Sequence, residues 1–541
     1  MKKMKRIILA MVVTLAALLL AGCGNGLGRG GGVAGAGGFE FTGYPMYAPG
    51  ESVSFFTFVS FGMDGTVETW EDSPFFQMLR EAIGVDVDWQ FPVAGAVDQQ
   101  AMLDLMIMSG DLPDVIFSHR IMPDAERLLN EGVFRDLTPF IEDYAPNYFA
   151  FLQEKPVRDR AMKTDDGRYF AFGFFREEGS WADSFQGPLV RQDWLDELGL
   201  PTPTTVSDWD NTLRAFHENY DATFATAWGR FNGTGFIAGA FGAHGGANFR
   251  LFIDPRTNTV QLANVQPEWR DFMAHMNGWW NEGLINQDLI AVDDAAMRTM
   301  TLNDQVGLTS APISALALWT QDAEEIGSPA DWRAIPWPTG DDGTLVAVFG
   351  GPGVAMDAAG ITSNVSDDRM ELVMRVLDFG YSREGFLQWN FGTEGYTWNM
   401  VDGTPTFSDV VHNQPDGIHH AMLRFSGTVW GAPSIQSSEV LRQRHPARSM
   451  DAQDIWFFPN PELASNWVYP PRGMALSAEE AERAAQIQGA LSTFVNETTV
   501  RFLTGADSLD NFDSFVAQVE AMDLAELLAL HQAAYERFLA R

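Results

Sequence analysis

Over residues 53–130 the hydrophobic period switches repeatedly between that of a strand and that of a helix. Residues 53–60 are a β-branched and aromatic run, 73–83 have helical spacing, and Val85, Val87, Trp89 and Phe91 alternate as a strand. Residues 96–109 are helix-like up to Gly110, 114–118 form a short apolar strand, and 122–130 form a further helix. Strands and helices alternating at this spacing predict βαβ units and a parallel sheet. Ligands of open α/β sheets bind beyond the carboxyl ends of strands. The loops after Ser60 and after Ser118, the latter carrying His119 and Arg120, are therefore the first places to seek a site.

A second region, 188–335, is predicted to be mainly helical. Residues 189–198 are a strand passing into a helix ended by Gly199, and Ser207 is the expected N-cap of the next helix. Trp269, Phe272, Met273, Met276 and Trp280 share one helical face. A short strand over 306–309 is followed by a helix over 310–319 at a pocket edge. In the tail, Ser477 and Glu480 form a capping box opening a helix that runs to Leu503 and stops at Gly505. Helical spacing resumes at Phe512, Phe515, Val516, Val519 and Met522, and Asp523 with Glu526 is expected to open a last helix.

The chain has 541 residues, 72 acidic and 35 basic, for a net charge of −37. That balance argues against general nucleic-acid affinity and against a polybasic membrane surface, both of which need clustered Lys and Arg. It also slows encounter with a polyanionic ligand, an effect that a local Arg cluster would offset. The one cysteine, Cys23, excludes an intrachain disulfide and a multi-Cys metal site. Lys2, Lys3, Lys5 and Arg6 precede an apolar run over 7–20, too short for a stable membrane span and fitting a removable signal. Leu20, Ala21, Gly22 and Cys23 resemble the lipobox of bacterial lipoproteins, which implies a signal peptide over 1–22 and a lipid-bearing Cys23, with palmitate among its acyl groups. Residues 24–38 are glycine-rich and read as a flexible tether. Gly30, Gly32 and Gly35 match a dinucleotide-binding spacing, but no strand precedes them and no helix follows.

Several segments in order look like the extracellular solute-binding protein family 1, in its subset of lipoproteins serving bacterial carbohydrate ABC importers. They are SGDLPDVI at 109–116, GVFRDLTPFIEDYAP at 132–146, VRQDWLDELGLP at 190–201, GFLQWNFGTEGYTW at 385–398, and the tail over 477–538. The resemblance implies an α/β, two-lobed, periplasmic-binding-protein-like fold of type II, similar to maltose-binding protein, with crossing strands as hinge and a helical C-terminal region. It places lobe one at 39–172 plus 345–395, lobe two at 173–344, and a tail at 396–541 packing on both. Crossings are expected at 169–175 and 345–356. The implied partners are an oligosaccharide and the permease subunits. The protein would be a monomer on the extracellular face of the cytoplasmic membrane, held by its lipid alone. Some family members carry a calcium loop after the helix that begins near Ser207; here 219–226 holds one carboxylate, too few for calcium.

Sugar recognition needs flat apolar faces and polar groups for hydroxyls. Trp181, Trp228, Trp319, Trp337 and Trp398 lie at predicted loops or helix starts and are candidate platforms, with Tyr396 adding a hydroxyl. Trp89, Trp194, Trp209 and Trp280 read as core. His119 follows a strand end, and Arg424 could grip a carboxylate or a hydroxyl pair. His217-Glu218 lacks the second His of a zinc motif, no Gly-x-Ser-x-Gly is present, and adjacent His419 and His420 diverge, so no catalytic motif, metal or cofactor is indicated. A lipid-anchored glycoside hydrolase or lyase, and a receptor for peptides or one coupled to a sensor, remain as alternatives.

Overall fold

A computed structural model describes residues 41–57, 73–91, 99–119, 121–177, 186–226, 234–289, 291–346, 357–415, 417–427, 433–444, 447–456, 470–471 and 473–541. Its strands are β1 (Ser52–Phe56), β2 (Asp86–Gln90), β3 (Val115–Ser118), β4 (Phe172–Gly173), β5 (Phe175–Arg176), β6 (Gln186–Arg191), β7 (Thr223–Thr226), β8 (Leu251–Asp254), β9 (Thr259–Leu262), β10 (Val306–Pro312), β11 (Trp332–Ala334), β12 (Ala358–Ile361), β13 (Trp398–Val401), β14 (Thr404–Phe407) and β15 (Ile435–Gln436).

The first sheet has the order β2-β1-β3-β12-β4. β1 runs parallel to β2 and β3, placing Phe55 beside Trp89 and Val115. The helix Pro74–Ile83 between β1 and β2 starts with Pro at its first position and ends at Gly84 with φ 83°, the left-handed conformation that glycine adopts without steric cost. β12 then inserts antiparallel between β3 and β4, so the sheet is parallel only over its first three strands. Val53, Phe55, Phe75, Leu79, Val115, Phe172 and Ile361 bury together in this lobe.

The second lobe is mainly helical, as expected, and its helices pack around a four-stranded sheet, β11-β6-β10-β7. β10 runs to Pro312, beyond the expected 306–309, because residues 308–312 each face a partner across the antiparallel β6 ladder. Those backbone bonds override the helical propensity of the segment, and the helix begins only at Ile313. Thr205, not Ser207, caps the helix Val206–Tyr220; its hydroxyl accepts from the Asp208 N–H and forms a capping box with that residue. Ser207 bonds Asp341 instead. In the helix Pro267–Asn281 the fifth buried side chain is Trp279, not Trp280. Its indole N–H donates to Asp210 on the neighbouring helix at 2.6 Å, which draws it inward.

The tail helix Ala478–Thr504 has the expected Ser477–Glu480 capping box and ends at Gly505 with φ 71°. It packs on Pro267–Asn281, where Asn277 donates to the Phe502 and Leu503 carbonyls. Trp269 stacks against Phe512 and Phe515. Asp523 does not open the last helix: it sits at φ 60° in a kink, and its carboxylate pairs with Arg483. The last helix, Ala525–Ala540, reaches the first lobe, where Phe538 joins the apolar core and both Arg537 and Arg541 pair with Asp165. Among the described residues no helix is long and apolar enough to cross a membrane.

Candidate functional site

Three chain segments meet between the sheets. Leaving the first sheet, the chain at Phe174 donates its N–H to Asp357 O at 2.8 Å, and Phe175 donates to Ser434 O at 3.0 Å. β5 then pairs parallel with β15, and Glu177 N–H closes the ladder on Gln436 O. The crossing at 169–175 thus has a described counterpart; 347–356, most of the second expected crossing, lies outside the described residues. The segment 433–437 is a third connection that the sequence did not suggest.

Buried polar side chains clip this junction. Asn390 is fully enclosed; its amide donates to Ile435 O at 2.8 Å and Phe386 O at 2.7 Å, and its oxygen accepts from Ser437 N–H at 2.7 Å. Glu177 accepts from the Ser438 N–H and the Ser437 hydroxyl. On the first-lobe side Tyr148 donates to Ala171 O and accepts from Gly173 N–H, while Tyr381 donates to Gly173 O. Burial pushes both phenols well above their usual range. Behind them Asp378 accepts from Tyr148 N–H at 2.8 Å and from the Asn147 amide at 2.7 Å. Burial pushes its carboxyl up to about 6, only partly opposed by those donors and Arg375.

The carboxyl ends of the parallel strands in both lobes are polar. On the first lobe they present Thr57, after β1, and Ser118, with His119 exposed just beyond β3. On the second they present Thr226 and Ser310, and the Gln186 amide donates to the Ser310 hydroxyl at 3.1 Å. Among the described residues, the Thr57 hydroxyl, the Ser73 hydroxyl at the start of Pro74–Ile83 and the amide nitrogen of Gln388 are buried without a hydrogen-bond partner. Hydroxyls and amides both donate and accept, so this edge chemistry suits a polyhydroxylated ligand. The sequence pattern puts Thr57 inside the expected 53–60 strand and gives no signal for Gln388, and the expected loop after Ser60 lies outside the described residues.

The sequence candidates separate into distinct places. Trp319 is 4% exposed, its ring 5.3 Å from Trp332, and Trp337 donates to Trp456 O at 3.2 Å; both sit inside the second lobe. Trp398 is 2% exposed and donates to Gly392 O at 3.0 Å. These three indoles are therefore engaged in packing in this conformation. Tyr396 is 48% exposed, edge-on to Phe425. Arg424, half-buried, donates to Gln414 at 3.3 Å. Tyr396 and Trp398 sit at the start of the β13–β14 hairpin, Tyr396 against Phe425, the chain neighbour of Arg424, while Trp398, Trp319 and Trp337 all join one buried core. Trp181, Trp228, Arg120 and Cys23 lie outside the described residues. Residues 219–226 form a helix end and β7. Among the described residues no cluster of three His, Cys, Asp or Glu could hold a metal ion.

No family model matches the chain. It is 23% identical over 484 residues to the fructooligosaccharide ABC transporter substrate-binding protein FusA of Streptococcus pneumoniae, covering 85% of this chain and 86% of that protein. It is 21% identical over 476 residues to the lipoprotein LipO of Bacillus subtilis, covering 82% and 85%. The solved structure of S. pneumoniae FusA in complex with kestose superposes with a TM-score of 0.70 at 21% identity, covering 91% of this chain and all of that one. The chain therefore has the fold of the two-lobed solute-binding proteins along nearly its whole described length.

Proposed function

We propose that this chain is the substrate-binding lipoprotein of an ABC importer, which captures an extracellular oligosaccharide by closing its two lobes and delivers it to permease subunits. The observation that carries the reading is the hinge. Two described segments, 174–177 and 433–437, pair at the junction of the lobes, and the carboxyl-end edges of the two sheets hold Thr57, Ser118, Thr226, Ser310 and Gln186, groups of the kind that exchange hydrogen bonds with sugar hydroxyls. Its likeness to a transporter-associated saccharide-binding protein spans nearly the full length of both chains, which favours binding over catalysis and disfavours a hydrolase, a lyase or a peptide receptor.

In this proposal residues 1–22 are the signal peptide, Cys23 carries the lipid, and 23–38 tether a monomer to the extracellular face of the cytoplasmic membrane. The lobes are 39–172 plus 345–395 and 173–344, with 396–541 braced across both. Tyr396 and Arg424 contact ligand from the tail and His119 from the first lobe, with Trp181 and Trp228 completing the cleft; Trp319, Trp337 and Trp398 shape it from behind. Neutral and acidic oligosaccharides, including fructooligosaccharides, are screened by thermal shift and small-angle scattering, with peptides as the contrast. A saccharide should raise the melting temperature and compact the protein without product forming. Turnover detected by mass spectrometry, or stabilisation by peptides alone, would sink the proposal. Replacing Cys23 by Ala should move the protein from the membrane to the soluble fraction.

A further inference from the structure

The edge of the second sheet opposite the cleft carries a separate groove of about 990 Å³ at the amino ends of β7 and β10. It is open because the turn joining Val206–Tyr220 to β7 is only Asp221 and Ala222, with Asp221 at φ 54° closing the helix. One wall is Trp280, on the last turn of Pro267–Asn281. The facing wall is the 285–288 loop, fixed by the Phe224 N–H on Leu284 O at 2.7 Å and the Asn286 N–H on Phe224 O at 2.9 Å.

Of the groups lining this groove, Tyr220, Asn286, Gln287, Asn303 and Asp304 are held by protein partners, whereas Trp280, Asp221, Asp288 and Gln305 are not, among the described residues. Trp269, Trp279 and Trp337 each donate their indole N–H to a protein oxygen, and Trp194 stacks on Tyr220 at 4.1 Å. Trp280 is half-buried, and among the described residues its ring has no aromatic partner and its N–H no acceptor. The carboxylates of Asp221 and Asp288 and the side-chain amide of Gln305 likewise have no partner among the described residues. An aromatic plane flanked by free carboxylates and an amide matches the apolar face and the alternating donors and acceptors of a sugar ring. A cationic chain would leave the Trp280 and Gln305 donors unpaired, and an acidic sugar would meet two carboxylates.

We propose that this groove is a second saccharide site, taking a short terminal segment of a neutral glycan. It lies on the far side of its lobe from the hinge, so it needs no lobe closure, and it stands or falls apart from the cleft reading. The test is ¹⁹F NMR of the full chain labelled with 5-fluorotryptophan, the Trp280 signal being assigned with Trp280→Phe. The probes are kestose, maltotriose and cellotriose, with oligolysine and calcium chloride as contrasts. At least one trisaccharide should shift the Trp280 signal saturably. Asp288→Ala and Gln305→Ala, both at the surface, should each weaken that response about five- to tenfold, the loss expected for one hydrogen bond to a charged or amide group. The proposal is overturned if no trisaccharide moves the signal, if oligolysine or calcium moves it instead, or if the shift survives both variants and so reports a change transmitted from the cleft.

Discussion

Asp378 lies under the hinge with no exposure to solvent, and its replacement by Asn gives a signed, pH-dependent test of the junction. Burial raises its carboxyl from 3.8 to about 6. Between those values the folded state binds a proton that the unfolded state has released, so stability is greatest below the lower value and falls as pH rises through the higher one. A difference of roughly two units corresponds to about 3 kcal/mol. A side-chain amide cannot ionise, so Asp378→Asn should gain about 3 kcal/mol relative to the parent between about pH 4 and pH 7, whatever its offset at the acid end. For a lobe of this size that is a relative gain in Tm of about 6–12 °C. The assay is thermal and urea unfolding of both proteins across this range. A parent-to-variant difference that stays constant with pH, or that moves toward the parent as pH rises, would refute the reasoning.

Other perturbations probe the same architecture. Asn390→Ala strands Ser437 N–H and Ile435 O at the third crossing and should cost about 2–4 kcal/mol, read by urea unfolding. Among the described residues, Asp165→Ala removes the only carboxylate paired with Arg541, whose side chain is 1% exposed and keeps its bonds to the Arg160, Lys163 and Gly473 carbonyls; it should cost about 3–5 kcal/mol, with faster hydrogen exchange confined first to the last helix. Gly187→Ala places a Cβ on the Trp456 indole, which donates to Ile335 O and Pro188 O; displacing that ring should lower the second lobe's Tm and leave the first lobe's unchanged.

Elements whose determinants are local were legible. Ser477 and Glu480 form a reciprocal cap, and Gly199 and Gly505 end helices in the left-handed conformation, because those contacts close within a few residues. The same local signal stands at Thr205 and Asp208, spaced by three, beside Ser207, a residue of at least equal capping propensity. Elsewhere the deciding neighbour is remote. Asp210 selects Trp279 over Trp280, and the β6 ladder keeps 310–312 extended.

Residue type and short spacing alone settle the two hydrophobic periods, the helix stops at Gly199 and Gly505, the acidic net charge and the likeness to transporter substrate-binding proteins. The packed molecule was needed to show that β12 enters between β3 and β4, that Asn390 clips a third crossing, and that Trp319 and Trp398 turn their indoles inward. It also left Trp280 facing an open groove. Strand order and the choice of which aromatic ring remains free depend on which distant surfaces meet, and apolar burial rewards any of several rings of similar size equally.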